Sequence, residues 1–350
     1  MHVIFDNIIF ALQHVGGISV VLQELLRRAM QDPAIRPMVL DYEAQNVCRD
    51  QLAPLSTTWH RLPYRCLERY RTPDFAPTDT PIFHSSYFRI LPGAHNVTTV
   101  HDLTYHYYRK GLAKAVHLWE EERAVKNSER IICVSEFTKQ DLLRTYRWLD
   151  EQKVRVVHNG VHDAFRPMEQ KEKVTPFERG EYLLYVGNRG AEYKQFLAAV
   201  GLAKQTHRPL VIVGAPLTQQ EQDYLVEQLG DGHFYGCGFM TEKELAGVYS
   251  QAYCLVYLSA YEGFGIPVLE AQRCGCPVLV QQVSSLPEVA GEGAVYVQHQ
   301  PNQDMATEAA YQLQQADQQL PQLAQKGLQN AQRFSWDRCY QETIQVYQTI

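Results

Sequence analysis

The chain has 350 residues, a formal net charge of −6 at pH 7 and an ordinary globular composition, with 45% hydrophobic and 21% charged residues. This length suffices for two domains with large cores, and the acidic balance argues against a general nucleic-acid-binding protein. No apolar run approaches the roughly 20 residues that a membrane-spanning helix needs. The eight cysteines form no C-x-x-C pair. A strand pattern starts at His2, so we expect no signal peptide and a cytoplasmic protein with reduced thiols.

The first part of the chain alternates strand and helix patterns. His2 to Asp6 is a strand pattern, and after Gly16-Gly17 the apolar residues from Ile18 to Met30 recur at helical spacing. Strand, glycine pair and helix are typical of the opening of a doubly wound α/β domain, in which ligands bind at the helix N-terminus. A plain turn would also explain the two glycines. The further strands predicted here are 38–42, 82–87, 96–100, 131–134 and 154–157, and the further helices are 114–127 and one capped by Ser135.

Residues 44–80 have little periodicity and many prolines, which predicts a loop with short helices. A basic and aromatic set of side chains lies within them, and we call it the 59–71 patch. Its members are Trp59, Arg61, Tyr64, Arg65, Arg69, Tyr70 and Arg71. The patch is either a solvated loop face or a contact for anionic membrane headgroups or a lipid-linked diphosphate.

His101 and Asp102 directly follow the predicted strand 96–100. Side chains at the carboxyl end of a parallel strand lie at the edge where such sheets bind their ligands. A lone histidine is as well explained by a structural role, so both interpretations stand at this point.

Lysine, glutamate and proline accumulate from 167 to 179, and we place a domain boundary after residue 166. The pattern then restarts with a strand at 182–186, a polar loop at 187–190 and a helix that contains Lys194. This predicts a second α/β domain. Its further strands are 210–213, 233–235, 253–258, 277–280 and 294–297, and its further helices lie around 218–229, 241–250, 266–274 and 305–319.

The stretch that follows strand 253–258 carries two carboxylates, Glu262 and Glu270, around a glycine-broken turn. Pro267 suits the first turn of a helix, because its missing N–H would have no partner there. Backbone N–H groups at such a helix N-terminus favour phosphate, whereas carboxylates favour hydroxyl groups. The stretch therefore predicts a ligand that has both phosphates and sugar hydroxyls.

Residues 262–270 resemble the E-x7-E signature of the retaining GT-B glycosyltransferases of family GT4. The resemblance extends in order over Gly16-Gly17, His101-Asp102, Asn159-Gly160-Val161, Ser284 to Val289 and Phe334-Ser335-Trp336. It implies two Rossmann-like doubly wound domains that face each other across a cleft, with the active site in that cleft. The acceptor domain would be 1–166 plus 335–350, and the donor domain would be 167–334. A C-terminal helix at 337–349 would cross back to the first domain.

The resemblance also implies a reaction and a set of roles. A sugar would move from a nucleotide-sugar donor with retention of configuration and without a bound metal or other cofactor. Arg189 and Lys194 would bind the diphosphate, although Asn188 departs from the family's pattern there. Glu270 would bind the donor ribose, Glu262 the transferred sugar, and His101 would be a polarising group near that sugar. The further donor-binding residues implied are Gly16, Gly17, Met240, Gly263, Phe264 and Gly265, and the acceptor-binding ones are Asp102 and Tyr105. Ordinary core packing is the other explanation of Met240.

Three alternatives remain open from the sequence. The first is a glycosidase in which Glu262 and Glu270 are acid and nucleophile. Eight helical residues rise about 12 Å, more than the roughly 5–5.5 Å between the carboxyls of retaining hydrolases, but Glu262 lies just outside the predicted helix, so this spacing argues only weakly against a glycosidase. The second is a non-catalytic nucleotide- or glycan-binding protein with the same fold. The third is a sucrose- or trehalose-type synthase that uses a free sugar.

The donor is identified by resemblance alone. The segments Phe5 to Phe10, Gly16 to Ser19 and Ser284 to Val289 resemble mannosyltransferase-like bacterial members that build surface polysaccharides. This favours GDP-mannose as donor and a glycan or lipid-linked acceptor, with a UDP-sugar or a deoxysugar nucleotide as alternatives. A protein that uses a lipid-linked acceptor is expected on the inner face of the membrane, and the 59–71 patch is the surface that the sequence offers for this contact.

Overall fold

The computed structural model describes residues 1–14, 16–52, 59–168, 173–298 and 303–350. Parts of the predicted loop 44–80 and of the linker 167–179, namely 53–58 and 169–172, lie outside the described residues. The chain divides into unit 1, which is Met1–Gly160 with Trp336–Ile350, and unit 2, which is Val161–Ser335. Each unit is built on one parallel sheet, which confirms the α/β prediction.

Unit 1 is formed around a parallel sheet to which the described residues contribute seven strands. These are β1 (His2–Asp6), β2 (Arg36–Tyr42), β3 (Trp59–Leu62), β4 (Ile82–Ser85), β5 (His95–Val100), β6 (Arg130–Cys133) and β7 (Val154–Val156). Its helices are α1 (Ile8–Leu12), α2 (Gly17–Ala29), α3 (Val47–Leu52), α4 (Thr104–Tyr108), α5 (Gly111–Asn127) and α6 (Glu136–Thr145). The strand order β3-β2-β1-β4-β5-β6-β7 reverses between β1 and β4. Doubly wound sheets bind ligands outside the carboxyl ends of the strands at such a reversal.

Unit 2 repeats this architecture with six strands among its described residues. These are β8 (Leu183–Val186), β9 (Leu210–Val213), β10 (Phe234–Gly238), β11 (Cys254–Tyr257), β12 (Val278–Gln281) and β13 (Val295–Val297). Its helices are α7 (Phe196–Thr206), α8 (Gln219–Leu229), α9 (Glu242–Gln251), α10 (Ile266–Arg273), α11 (Leu286–Ala290), α12 (Met305–Ala316) and α13 (Leu320–Ala331). The order β10-β9-β8-β11-β12-β13 reverses between β8 and β11. The loops that follow these two strands therefore lie side by side.

The C-terminal helix α14 (Trp336–Gln348) belongs to unit 1, as predicted. It packs against α2 and β6 and buries Trp336 in the core of that unit. The Tyr340 hydroxyl donates to Asp32 at 2.9 Å, and the Tyr347 hydroxyl lies 2.5 Å from Nδ1 of the buried His84. The last helix thus completes the first domain.

The sequence did not predict helices α11 and α13, and two further local predictions were wrong. The sequence did not predict β3, because this strand has no apolar run and pairs with β2 alone at the edge of the sheet. Lys194 was placed on a helix, but it lies in a 3₁₀ turn, Glu192–Lys194. Gln195 follows this turn with φ 55°, a left-handed conformation that separates the turn from α7.

Two arginines of the 59–71 patch form ion pairs within unit 1. Arg65 pairs with Glu68 at 2.7 Å and with Asp74 at 3.2 Å, and Arg69 pairs with the buried Glu120 at 3.2 Å. Two of the four arginines are thus held by carboxylates, so an anionic headgroup would compete with these pairs. This arrangement favours the loop-face interpretation.

Candidate active site

The loop between β11 and α10 is held in shape by the loop that follows β12. The Glu262 N–H donates to the Ser284 hydroxyl at 3.0 Å. The Ser285 hydroxyl lies 2.9 Å from both the Glu262 carbonyl and the Phe264 carbonyl, and it donates to one of them. Gly265 caps α10 with φ 106°, and a Cβ there would lie 3.0 Å from Leu286. Only glycine takes this conformation without strain. Together these contacts fix where the Glu262 side chain begins.

Lys194 and Glu262 form an ion pair where the strand order of unit 2 reverses. The turn after β8 meets the loop after β11 through a hydrogen bond from Ala260 N–H to the Tyr193 carbonyl at 2.8 Å. Lys194 Nζ lies 2.6 Å from Glu262 Oε1 and 3.4 Å from the Tyr257 hydroxyl. The two side chains are only 17% and 11% exposed. Burial lowers the pKa of Lys194, but the Glu262 carboxylate outweighs it and holds that pKa well above its ordinary value. The amine is therefore charged at neutral pH.

Arg189, the predicted partner of Lys194, makes its contacts elsewhere in unit 2. Its guanidinium donates to both oxygens of Glu221, at 2.7 and 3.1 Å, and to the carbonyls of Ala215 and Pro216, at 2.8 and 3.1 Å. The side chain is 6% exposed, and its hydrogen bond lowers the pKa of Glu221 to about 2. Diphosphate binding by Arg189 would require these bonds to be exchanged, so that role stays a prediction.

Glu270 lies on α10 in an environment unlike that of Glu262. The hydroxyl of the fully buried Tyr249 on α9 donates to Glu270 Oε2 at 2.9 Å. Burial raises the pKa of Glu270 to about 7, and the Tyr249 hydrogen bond opposes this shift. The carboxyl is thus poised to gain or lose a proton near neutral pH. A ligand hydroxyl that donates to it would favour the ionised form.

His101, Asp102 and Tyr105 line one cavity in unit 1. The cavity has a volume of about 80 Å³ and is also lined by Ile18 and His117. Burial lowers the pKa of His101 to about 4, so its imidazole is neutral at pH 7. The Asp102 carboxylate accepts the Thr104 N–H at 2.8 Å, and the Tyr105 ring stacks on His117 with centroids 3.7 Å apart. Asp102 therefore has a structural role at the start of α4 in addition to any ligand.

The other predicted donor-binding residues divide into backbone and packing positions. Gly16 caps α2 and Gly17 begins it, and a Cβ on Gly16 would collide with the Gln13 side chain. Phe264 is buried against Phe334 with ring centroids 5.8 Å apart, so its side chain packs in the core of unit 2. Met240 follows β10 and is partly exposed. Gly263 lies in the Glu262 loop and is buried.

Both halves of the chain match family models of glycosyltransferases. Residues 15–165 match the model described as Glycosyltransferase Family 4, and residues 168–333 match Glycosyl transferases group 1. The chain is a family-4 glycosyltransferase of the GT-B fold. The two parallel sheets with reversed strand order agree with this assignment.

Relatives of this glycosyltransferase differ in their described activities. O-antigen chain mannosyltransferase B of Escherichia coli is 27% identical over 276 residues, which cover 73% of this chain and 70% of the relative. Alpha-maltose-1-phosphate synthase of Mycolicibacterium smegmatis is 29% identical over 290 residues, 75% and 74% of the two chains. The structure of HepE of Anabaena in complex with UDP-glucose covers all of both chains with a TM-score of 0.76 at 14% identity. At this identity the structural likeness shows the fold.

Several residues that shape the site were not singled out as site residues from the sequence. Tyr249 and Glu221 lie 21 and 32 positions from the side chains that they contact, and no local pattern marks them. Ser284 and Ser285 were part of the family resemblance, but their hydrogen bonds to the Glu262 loop required the fold. Within the described ranges, no three His, Cys, Asp or Glu side chains are grouped so that they could hold a metal ion.

The Glu270 environment predicts a pH dependence of nucleotide binding. If ribose hydroxyls donate to the Glu270 carboxylate, binding favours loss of its proton, and affinity should rise as pH increases towards about 7 and then level off. Tyr249→Phe removes a hydrogen bond that favours the carboxylate, so it should move this midpoint upwards. Isothermal titration of GDP and UDP between acid and alkaline pH measures the effect.

Two further variants isolate the contribution of Glu270. The Glu270→Gln variant should lose the part of the pH dependence that comes from Glu270. The part that comes from the ligand's own phosphate should be the same in this variant and in the wild type. Tyr311→Phe, on the exposed face of α12, is the matched tyrosine control. Identical pH profiles for the wild type and Glu270→Gln would contradict the assignment.

Proposed function

We propose that this glycosyltransferase is a retaining enzyme that transfers mannose from GDP-mannose to a glycan or lipid-linked acceptor in surface polysaccharide biosynthesis. The observation that carries the proposal is the Lys194–Glu262 pair at the strand reversal of unit 2. A largely buried cation there can compensate the charge of a departing diphosphate, and the carboxylate beside it can accept hydrogen bonds from sugar hydroxyls.

The leaving diphosphate is the group that most needs stabilisation in such a transfer. Lys194 offers a compact positive charge. α10 starts at Ile266 without a side-chain cap at Gly265, so the positive end of its dipole faces the same loop. Preorganised charges and dipoles of this kind stabilise charge that develops in the transition state. When the diphosphate binds the Lys194 amine, the Glu262 carboxylate would accept hydrogen bonds from sugar hydroxyls in place of its contact with Lys194.

The two remaining side chains suit hydroxyl groups better than phosphate. Glu270 carries a hydrogen bond from one tyrosine and accepts the donor ribose in this proposal. His101 is neutral because its pKa lies at about 4, so it would bind a sugar hydroxyl as a polar group without adding charge. Arg189 could bind the diphosphate only if its ion pair with Glu221 were broken.

Two similarities favour mannose as the transferred sugar: that of the chain to the mannosyltransferase from Escherichia coli, and that of the sequence segments named above to mannosyltransferase-like proteins. A UDP-sugar is the second candidate, because the solved relative HepE contains UDP-glucose. A synthase that acts on a small soluble acceptor is supported by the relative described as alpha-maltose-1-phosphate synthase. A non-catalytic nucleotide-binding protein is the alternative of another class, and the intact Lys194–Glu262 pair favours the transferase over it.

The donor is tested by a thermal-shift panel of GDP-mannose, UDP-glucose, UDP-N-acetylglucosamine and dTDP-rhamnose. We expect the largest rise in melting temperature with GDP-mannose, because a ligand that binds only the folded state stabilises it by mass action. GDP and UDP alone serve as controls for the nucleotide. Stabilisation by UDP and its sugars but not by GDP would overturn the choice of donor while leaving the transferase assignment intact.

The role of Lys194 is tested with one single and one double variant. Lys194→Met should lower turnover at least about 100-fold, the effect of removing one preorganised group from a transition state. It should also lower the melting temperature, because Glu262 loses its counterion. The double variant Lys194→Met/Glu262→Gln should regain stability but not turnover, measured as release of nucleoside diphosphate.

A matched lysine separates this effect from a general loss of charge. Lys204→Met removes an exposed lysine on α7 whose contact is the Gln228 side chain, and it should keep the wild-type rate. Wild-type turnover in Lys194→Met, or recovery of turnover in the double variant, would show that the lysine is structural only.

A further inference from the structure

Unit 1 has a second recess at the carboxyl edge of its sheet, and the proposed chemistry leaves it unused. It is a groove of about 390 Å³ that is lined by residues 10–14, by residues 43–45 and by Tyr64. These residues follow β1, β2 and β3, whereas the cavity that contains His101 lies at the ends of β4 and β5. We call this recess the Tyr64 groove. Its volume falls within the range of small-molecule sites, roughly 300–1,000 Å³.

The walls of the Tyr64 groove are fixed by hydrogen bonds between the loops that form them. The Asn46 side-chain amide donates to the Gln13 carbonyl at 2.7 Å, and the Gln13 side-chain amide donates to the Ser19 hydroxyl at 2.8 Å. His14 Nδ1 lies 3.0 Å from the Gln45 carbonyl. The shape of the groove is therefore set before a ligand arrives, and a preformed site loses less entropy on binding.

Several polar groups that line the groove are left for a ligand. Glu43 and Gln45 are exposed, and no described residue forms an ion pair or a hydrogen bond with either side chain. Tyr64 contacts the buried Tyr42 in a T-shaped pair with ring centroids 6.3 Å apart, yet it stays 50% exposed. An exposed aromatic ring beside a carboxylate and an amide suits a sugar. The ring packs against the C–H groups of a pyranose, and the carboxylate and the amide bind its hydroxyls.

Charge selects the class of sugar that the groove fits. Glu43 contributes a carboxylate, and neither lysine nor arginine is present among the described residues that line the groove. A phosphate or a uronic acid would meet this carboxylate without a counterion, and like charges oppose such a contact. A neutral sugar instead donates its hydroxyls to the carboxylate, in hydrogen bonds that the charge strengthens. The groove therefore fits an uncharged hexose.

The Tyr64 groove and the His101 cavity lie along one edge of the same sheet. In the order β2-β1-β4-β5, β2 is two strand spacings from β4 and three from β5, which is about 10–14 Å. One sugar ring does not span this distance. The pair Gly16-Gly17 lies in the chain between His14 of the groove and Ile18 of the cavity, and the pair itself adds no side chain there.

We propose that the Tyr64 groove binds an uncharged hexose of an oligosaccharide acceptor, at least one position behind the sugar whose end reaches the His101 cavity. The proposal rests on the proposed transferase function and extends it to the acceptor. It selects a growing neutral glycan over a small soluble acceptor. It also gives Tyr64 and Glu43 a role in recognising the length of the acceptor. An earlier glycosyl transfer must then supply this acceptor.

Ligand-observed NMR with free sugars tests the groove without the donor. The probes are mannose, glucose and galactose, their neutral linear oligomers of two to four units, and uronic acid oligomers of the same lengths. The wild type should bind at least one neutral oligomer of three or four units about tenfold more tightly than its monosaccharide, because the longer chain reaches the groove as well as the cavity. The uronic acid oligomers should bind more weakly than the neutral ones.

Three variants locate this binding in the groove. Tyr64→Ala and, separately, Glu43→Gln should each lower the affinity for the oligosaccharide at least about tenfold. Tyr64→Phe keeps the ring and should retain most of the affinity. Both positions are exposed, so the melting temperature should stay near the wild-type value. Tyr311→Ala and Glu227→Gln alter exposed residues of unit 2 and serve as matched controls.

The same variants separate the groove from the transfer reaction. All of them should keep the thermal shift that the nucleotide-sugar donor produces. With the tightest-binding oligosaccharide as acceptor, Tyr64→Ala should raise KM at least about tenfold and leave kcat nearly unchanged, because the groove binds the acceptor equally in the ground state and the transition state. A protein that binds the oligosaccharides but no nucleotide-sugar would contradict the proposed function and leave glycan binding at the groove intact.

Three results would overturn the proposal. The first is a wild type that binds no neutral oligosaccharide more tightly than its monosaccharide. The second is unchanged oligosaccharide binding in both Tyr64→Ala and Glu43→Gln. The third is tighter binding of the uronic acid oligomers, which would assign the groove to an anionic ligand.

Discussion

The reversal of strand order between β8 and β11 is the constraint on which the candidate site depends. It places the turn that carries Lys194 beside the loop that carries Glu262, and the hydrogen bond from Ala260 to Tyr193 joins the two. The Lys194 and Glu262 charges are largely withdrawn from water and stabilise each other, because either charge alone would be costly to bury. The serine pair after β12 then fixes the loop from its other side. The site is thus preorganised by the sheet, and a diphosphate would replace one counterion by another.

Three glutamates of unit 2 show how partners give one residue type different properties. Glu221 receives a bidentate arginine, and its pKa falls to about 2. Glu270 receives a single tyrosine hydroxyl in a buried environment, and its pKa rises to about 7. Glu262 is the counterion of a lysine. In the proposed function, Glu221 belongs to the scaffold, Glu270 binds the ribose and Glu262 binds the sugar. Arg189 pairs with the scaffold glutamate.

The fold was largely predictable, because parallel strands buried on both faces are short apolar runs that stand out in a sequence. β9 was predicted to the residue, whereas the edge strand β3 lacked the run and was missed. The family resemblance also implied the return of α14 to unit 1. Local conformation was harder: Lys194 precedes its helix because Gln195 adopts a left-handed conformation, for which a glutamine gives no signal.

Side-chain partners were the least predictable part of the site. The Arg189–Glu221 pair joins residues that are 32 positions apart, so the sequence offered no reason to separate Arg189 from Lys194. Tyr249 likewise lies 21 positions from Glu270, and no local pattern marks it as the hydrogen-bond donor to that carboxylate. In both cases the tertiary structure decides which of several chemically reasonable partners a side chain takes.

The central claim is that the Lys194–Glu262 pair is the centre of the donor site, and a crystal structure of the protein with bound GDP-mannose tests it most directly. The account predicts that Lys194 Nζ lies within hydrogen-bond distance of a diphosphate oxygen and that Glu270 accepts the ribose hydroxyls. It also predicts that Glu262 turns to the sugar. A nucleotide bound elsewhere, with the Lys194–Glu262 distance still at 2.6 Å, would contradict it.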